Sequence, residues 1–384
     1  MEVLQALYLT TRQESLKICS PLMTEDYVVQ PAPFVSPPKW HLGHSTWFFE
    51  EFILTKFFAS YKVFNEQFGF VFNSYYEGAG KRVVRTNRGN LSRPSVSEIV
   101  EYRAYVDQAM IEFLQSSAIT ERQRYLIEVG CNHEQQHQEL LYTDIKYILG
   151  HNPLQPTYAD VDMHSKIKEN AGWLPVKEGL YNIGYNGDGF HYDNEKGVHQ
   201  AFLQSYQISS ELITNAQYIS FIENGGYQDH RYWHSAGWAW VQENAIKSPM
   251  YWQESSEGWK HYTLAGLKAV APDGPVTHIS YYEAFAYAEY SGMRLPTEQE
   301  WEVASSLFDW GQRWEWTASA YTPYPNYVKE VGALGEYNGK FMVGQQVLRG
   351  ASSATSAGHS RPSYRNFFHA EERWQFTGIR LVKK

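Results

Sequence analysis

Near residue 150 the chain changes texture, and that change constrains the fold more than any single motif. Before it, apolar residues recur at helical spacing over long stretches. After it, patterned segments are short and are separated by Gly, Asn, Asp and Pro, as in GLYNIGYNGDGF, PDGPVTHISYYEA and VGQQVLRGASS. A sustained 3.6-residue period means packed helices, whereas brief runs between turn residues mean short strands and loops. The fold class is therefore α + (α+β). The expected division is a helical domain over 1–152, a linker over 153–175 and an irregular α+β domain over 176–384. A length of 384 residues suits two such domains.

Within the first part, Val3, Leu4, Ala6, Leu7 and Leu16 give residues 2–18 a helical pattern. Pro37-Pro38 opens a second helix, expected over 38–60, since proline is tolerated in a first turn. A third is expected over 95–114 with Ser95 or Ser97 as cap, and a fourth over 120–149, begun by Thr120 and stopped by Gly150 and Pro153. Four such helices predict a bundle. The connection over 61–94 is long and rich in Tyr, Gly and Arg, which marks a functional loop. In the second part, helices are expected at 281–290 and 297–305.

Charge narrows the partners. With 33 Lys and Arg against 42 Asp and Glu, neither nucleic acid nor an anionic membrane is expected to bind. No 18-residue apolar run occurs, so no transmembrane helix is expected, and the first twenty residues lack the apolar core of a signal peptide. Cys19 and Cys131 make no disulfide framework. A cytoplasmic setting is the expectation.

The chemistry concentrates in two helices. His133 and His137 are four residues apart and so project from one face of the fourth helix. Glu134 between them also completes H-E-x-x-H, in which a glutamate serves as general base beside zinc. A competing set adds His44 from the aromatic stretch WHLGHSTWFFE, where a buried imidazole needs a partner. Three neutral histidines suit Fe(II), Zn(II), Ni(II) or Cu(II), and spacing does not choose among them. His41 is read as structural or as support for a ligand.

Those residues carry a resemblance. PKWHLGHSTWFFE and GCNHEQQHQELLYTDIK resemble the DinB-like half of the ergothioneine-pathway sulfoxide synthases, the EgtB/OvoA-type non-haem iron enzymes. RLPTEQEWEVA, WEWTASAY, VLRGAS and FTGIRL resemble the formylglycine-generating-enzyme fold, which is close to that of C-type lectins. YNGKFMVGQ and YRNFF are more particular to the sulfoxide synthases. The resemblance spans both domains in order and disfavours the zincin reading. A formylglycine-generating activity is not expected, because that chemistry uses cysteines in the second domain and this chain has none after Cys131.

The resemblance implies a DinB-like four-helix bundle followed by a formylglycine-generating-enzyme-like domain, with the site between them. It implies Fe(II) held by His44, His133 and His137, with O2 as co-substrate. The implied reaction joins the sulfur of cysteine to C2 of the hercynine imidazole, giving S-(hercyn-2-yl)-cysteine S-oxide. Gln136 would bind the substrate imidazole. Tyr75 and Tyr76 match a segment carrying active-site tyrosines, and the pattern does not separate the two. Arg82 and Arg85 would hold the carboxylate of the sulfur donor, with Arg88 and Arg93 structural. Asn366 would bind the hercynine carboxylate, and Phe367 and Phe368 its trimethylammonium group. Members that use γ-glutamylcysteine place an acidic residue and then an arginine soon after the matching asparagine. Here Phe367, Phe368, His369 and Ala370 follow Asn366, which favours free cysteine. A selenoneine synthase acting on a selenosugar, a DinB-type thiol transferase using Zn(II) or Ni(II), and a ligand-binding module are the alternatives. The oligomeric state is not legible.

Overall fold

Thr120 starts the longest helix of the computed structural model. Its hydroxyl accepts the Gln123 amide at 3.3 Å, and the Gln123 side chain accepts the Thr120 amide at 2.9 Å. This reciprocal cap satisfies two donors that a helix start otherwise leaves open. The structure describes residues 2–76, 78, 80–116, 118–160, 172–330 and 338–384. Among these, contacts define one unit within 2–160 and a second within 172–330 and 338–384.

Unit 1 contains α1 (Glu2–Cys19), α2 (Pro38–Phe49), α3 (Phe68–Phe72), α4 (Val96–Ser116) and α5 (Glu121–Gly150). The helical run expected over 38–60 is interrupted. After α2 it widens into a π-turn, Glu50–Leu54, and ends at Phe57. There the buried Glu50 carboxylate accepts Tyr102 Oη at 2.6 Å and the Phe64 amide at 3.1 Å, polar partners that the apolar reading of this stretch did not anticipate. Ser95 is the cap of α4, accepting the Glu98 amide at 3.3 Å. The connection over 61–94 is partly ordered by α3 and by a 3₁₀ turn, Arg85–Asn90.

Two glycines let the site-bearing helices approach. A Cβ on Gly130 of α5 would fall 2.6 Å from the Phe49 ring of α2, and one on Gly43 would fall 2.3 Å from the Phe72 ring of α3. Real Cβ contacts are never that close, so both positions require glycine unless the aromatic rings move. Beneath α2 lies a buried polar knot. Glu134 accepts from Arg12 at 2.9 Å, Arg103 at 2.8 Å and Ser15 at 2.6 Å, and Arg12 also pairs with Asp107 at 2.6 Å.

Unit 2 begins with β1 (Trp173–Val176), so the expected linker over 153–175 is too long at its C-terminal end. At its other end Tyr158 already belongs to unit 1, donating to the Ile18 carbonyl at 2.6 Å. The remaining strands are β2 (Gly179–Ile183), β3 (His199–Leu203), β4 (Tyr206–Ser209), β5 (Trp252–Ser255), β6 (Gly258–Thr263), β7 (Gly266–Ala269), β8 (Met293–Arg294), β9 (Trp314–Ala320), β10 (Gln345–Gly350), β11 (Asn366–His369), β12 (Thr377–Gly378) and β13 (Val382–Lys383). They form sheets of order β1-β4-β13-β8, β11-β10-β9-β12, β2-β3 and β5-β6-β7. Helices α6 (Asn215–Glu223), α7 (Ser235–Glu243), α8 (Tyr281–Tyr290) and α9 (Glu298–Ala304) complete the α+β architecture. Trp301 of α9 packs with Tyr206, Ile208, Phe308 and Val382 in the core. Buried ion pairs pin the loops, with Arg365 on Glu298 at 2.8 Å, Arg380 on Glu315 at 2.6 Å and Arg349 on Glu302.

Candidate metal centre

In α2 and α5 the close approach at Gly130 brings three imidazoles together. One ring nitrogen each from His44, His133 and His137 lies within 4.8 Å of the others. His44 Nε2 and His133 Nε2 are 3.2 Å apart. Two nitrogens each about 2.1 Å from one metal, at an angle near 100°, lie about 3.2 Å apart. His44 Nδ1 sits 2.6 Å from the Phe72 carbonyl, an acceptor only, so this nitrogen carries the proton and Nε2 keeps its lone pair for the cluster. Burial pushes all three imidazoles down, His133 to about 3, and His44 and His137 well below the usual histidine range. They are neutral at pH 7, as metal ligation requires. The donor set fits one divalent transition metal with open positions.

His137 is held from behind. Its Nδ1 lies 2.8 Å from His41 Nδ1, and His41 Nε2 lies 2.9 Å from Asp144 Oδ2. With Asp144 Oδ2 as the acceptor, His41 carries its proton on Nε2 and accepts on Nδ1 from His137, which turns His137 Nε2 to the cluster. Asp144 also accepts the Ser36 amide at 2.8 Å. A carboxylate–histidine pair behind a ligand fixes its tautomer and raises its basicity.

Glu134 does not take part. Its carboxylate faces the Arg12–Arg103 knot, and although burial opposes the charge, those cations hold it at about 2. A committed anion with two arginine partners is no general base, which removes the H-E-x-x-H zincin reading.

The other expected residues are placed unevenly. Gln136 is half-buried on α5, three residues after His133, a spacing that shares a helix face with it. Tyr76 is fully buried, its ring 5.2 Å from Phe52 and 5.9 Å from Trp47, and Trp47 stacks on His44 at 5.7 Å. Tyr75 is half-buried against Tyr76 at 4.7 Å. Arg82 is half-buried, and Arg85 is exposed with its guanidinium on the Phe34 carbonyl. In unit 2, Asn366, Phe367 and Phe368 lie half-buried on β11. Phe367 stacks on Tyr321 at 4.0 Å, and Phe368 meets Trp374 edge-on at 5.7 Å.

Asp144 was missed by sequence reasoning, and Arg88 was read as structural. Asp144 falls seven residues after His137, two turns along the same face, a signal that was present. Arg88 sits in the short 3₁₀ turn Arg85–Asn90, where no periodicity points to its burial.

Comparison with known proteins agrees with both units. The description "Sulfatase-modifying factor enzyme 1-like domain" matches residues 159–312 and 307–384, and "DinB superfamily" matches 7–141. The chain belongs to the sulfatase-modifying factor enzyme 1-like family and carries a DinB-superfamily unit ahead of that domain. A hercynine oxygenase of Mycolicibacterium thermoresistibile is 30% identical over 242 residues, covering 50% of this chain and 53% of that protein. One of Mycobacterium tuberculosis is 27% identical over 346 residues, covering 78% and 80%. A formylglycine-generating enzyme of Streptomyces coelicolor is 31% identical over 141 residues, covering 34% of this chain and 45% of that one. The match thus spans about half of the first relative and four-fifths of the second.

Proposed function

We propose that the protein is a non-haem Fe(II)- and O2-dependent sulfoxide synthase that joins the sulfur of cysteine to C2 of the hercynine imidazole. The observation that carries this reading is the convergence of three neutral imidazoles in a DinB unit whose relatives include hercynine oxygenases. The S–H of cysteine and the C2–H of hercynine are replaced by a C–S bond. Sulfur takes one oxygen atom of O2, and the other leaves as water. Iron, when bound, activates O2 and acidifies the thiol.

The chain's own residues do the rest. His44, His133 and His137 would hold the metal. Gln136 has an amide that can donate to the hercynine imidazole. Tyr76, with Tyr75 against it, would deliver a proton from its hydroxyl at the aromatic wall. Arg82 and Arg85 would bind the amino-acid carboxylate of cysteine through paired donors. Asn366 would bind the hercynine carboxylate. Phe367 and Phe368 would offer ring faces to a trimethylammonium group that cannot donate hydrogen bonds.

The test is direct. Iron-loaded protein, hercynine, cysteine and O2 should give a product whose mass is the sum of the two substrates less two hydrogens plus one oxygen. Coupling without O2 consumption would instead mark a thiol transferase. Coupling to a selenosugar but not to cysteine would mark a selenoneine synthase.

A further inference from the structure

Arg88 is a buried cation that the reaction scheme above does not use. It is 5% exposed. Its Nη1 donates to Ser36 Oγ at 2.9 Å and its Nη2 to Ser74 Oγ at 3.2 Å, while its Nε has no partner among the described residues. No described carboxylate lies within ion-pair distance. Asp144, which accepts the Ser36 amide, favours its charge from beyond ion-pair distance, while Arg85 and Arg82 add like charge from the same loop. Burial and these arginines disfavour its charged form. A guanidinium kept in such a place without a directly paired counter-ion is costly, and an anion nearby lowers that cost.

Its position says which anion. The guanidinium lies 3.3 Å over the Trp40 ring, and Trp40 stacks on His44 at 4.5 Å and 12°. Only one indole separates the charge from a member of the histidine cluster. We propose that Arg88 is a positioning charge that biases the histidine metal centre toward anionic ligands, acting across Trp40. This rests on reading His44, His133 and His137 as metal ligands. The ligands it favours are small anions bound at the metal face, among them the thiolate of the sulfur donor. Arg88 acts through the field and touches none of the reacting atoms.

The experiment uses the full chain loaded with Co(II), whose visible spectrum reports ligands at the metal. Azide is the anionic probe and imidazole the neutral one. Their affinity ratio separates charge from general damage to the site. Arg88→Met, or Arg88→Gln where the methionine variant does not fold, should lower the azide-to-imidazole ratio at least about tenfold, because a nearby unit charge in a low-dielectric site has that scale of effect. Arg88→Lys, which keeps the charge, should stay within about threefold of the unaltered protein. Ser74→Ala, which removes a hydrogen bond and no charge, should do the same. An unchanged ratio in the neutral variants overturns the proposal, as does an equal loss in Ser74→Ala. Failure of the unaltered protein to bind Co(II) stoichiometrically would overturn the metal centre itself, and this role with it.

Discussion

At the residue scale the histidine cluster makes predictions that need no substrate. His133→Ala or His137→Ala should abolish stoichiometric iron binding and turnover while circular dichroism still shows a folded bundle. Full iron content with full activity in either variant would remove them as ligands. The Asp144–His41–His137 chain predicts a subtler effect. Asp144→Asn or His41→Gln leaves the three ligands in place but loosens His137, so metal affinity should fall roughly ten- to a hundredfold in a chelator competition. Acid should also destabilise the metal-free protein. The buried imidazoles have folded pKa values depressed below the unfolded value of about 6.5. The unfolded chain therefore binds more protons as pH falls below about 6.5, and stability declines toward the folded value of about 3 for His133. Glu134 acts in the same direction lower down, since its depressed pKa near 2 contributes stability that is lost as the pH falls below the ordinary glutamate range. Thermal melts of chelator-treated protein at pH 7 and pH 5 should show a clearly lower midpoint at pH 5.

At the element scale the distance between α2 and α5 is set by Gly130. Gly130→Ala must move the Phe49 ring or separate the helices, an overpacking change of about 1–3 kcal/mol. Because His44 and His133 ride on those helices, metal affinity should fall together with the melting temperature. A variant that melts lower but binds metal unchanged would show that the rings yield and the helices do not. The same elements show what a sequence reader can and cannot see. Helices α1, α4 and α5 were legible because their apolar period is long and Thr120 and Ser95 are strong caps. The π-turn at Glu50–Leu54 was not, because the stretch reads as apolar and its reason is a set of partners, Tyr61, Phe64 and Tyr102, remote along the chain or hidden in a loop. The histidine triad was legible in part. His133 and His137 share one helix, whereas the contribution of His44 needed a tertiary contact that spacing cannot supply. Arg88 was read as structural because its burial is a property of the fold.

At the scale of the whole molecule, many charged residues of the second unit's motifs are structural. Glu298, Glu302 and Glu315 are consumed by Arg365, Arg349 and Arg380, so none of these stands ready to bind a substrate's charged group. What remains on β11 is Asn366 and two half-buried phenylalanines, with His369 exposed and the first carboxylate at Glu371. A donor carrying a second amino-acid head brings a carboxylate and an ammonium that need fixed partners, and a polar group buried without one is penalised. Free cysteine lacks that second head, and its single carboxylate is the group that the proposed arginine pair would hold. Sites built without hydrogen-bond partners for an extra polar group discriminate by differential transition-state binding. With saturating hercynine, kcat/KM should therefore be at least about tenfold higher for cysteine than for γ-glutamylcysteine, a difference of about 1.4 kcal/mol in transition-state binding. The comparison should be made on one iron-loaded preparation, with product mass verified for both donors. A clear preference for γ-glutamylcysteine would mean that charged partners for its extra head come from residues other than those following Asn366, and charge-reversal at Glu371 and Arg373 would be the next place to look.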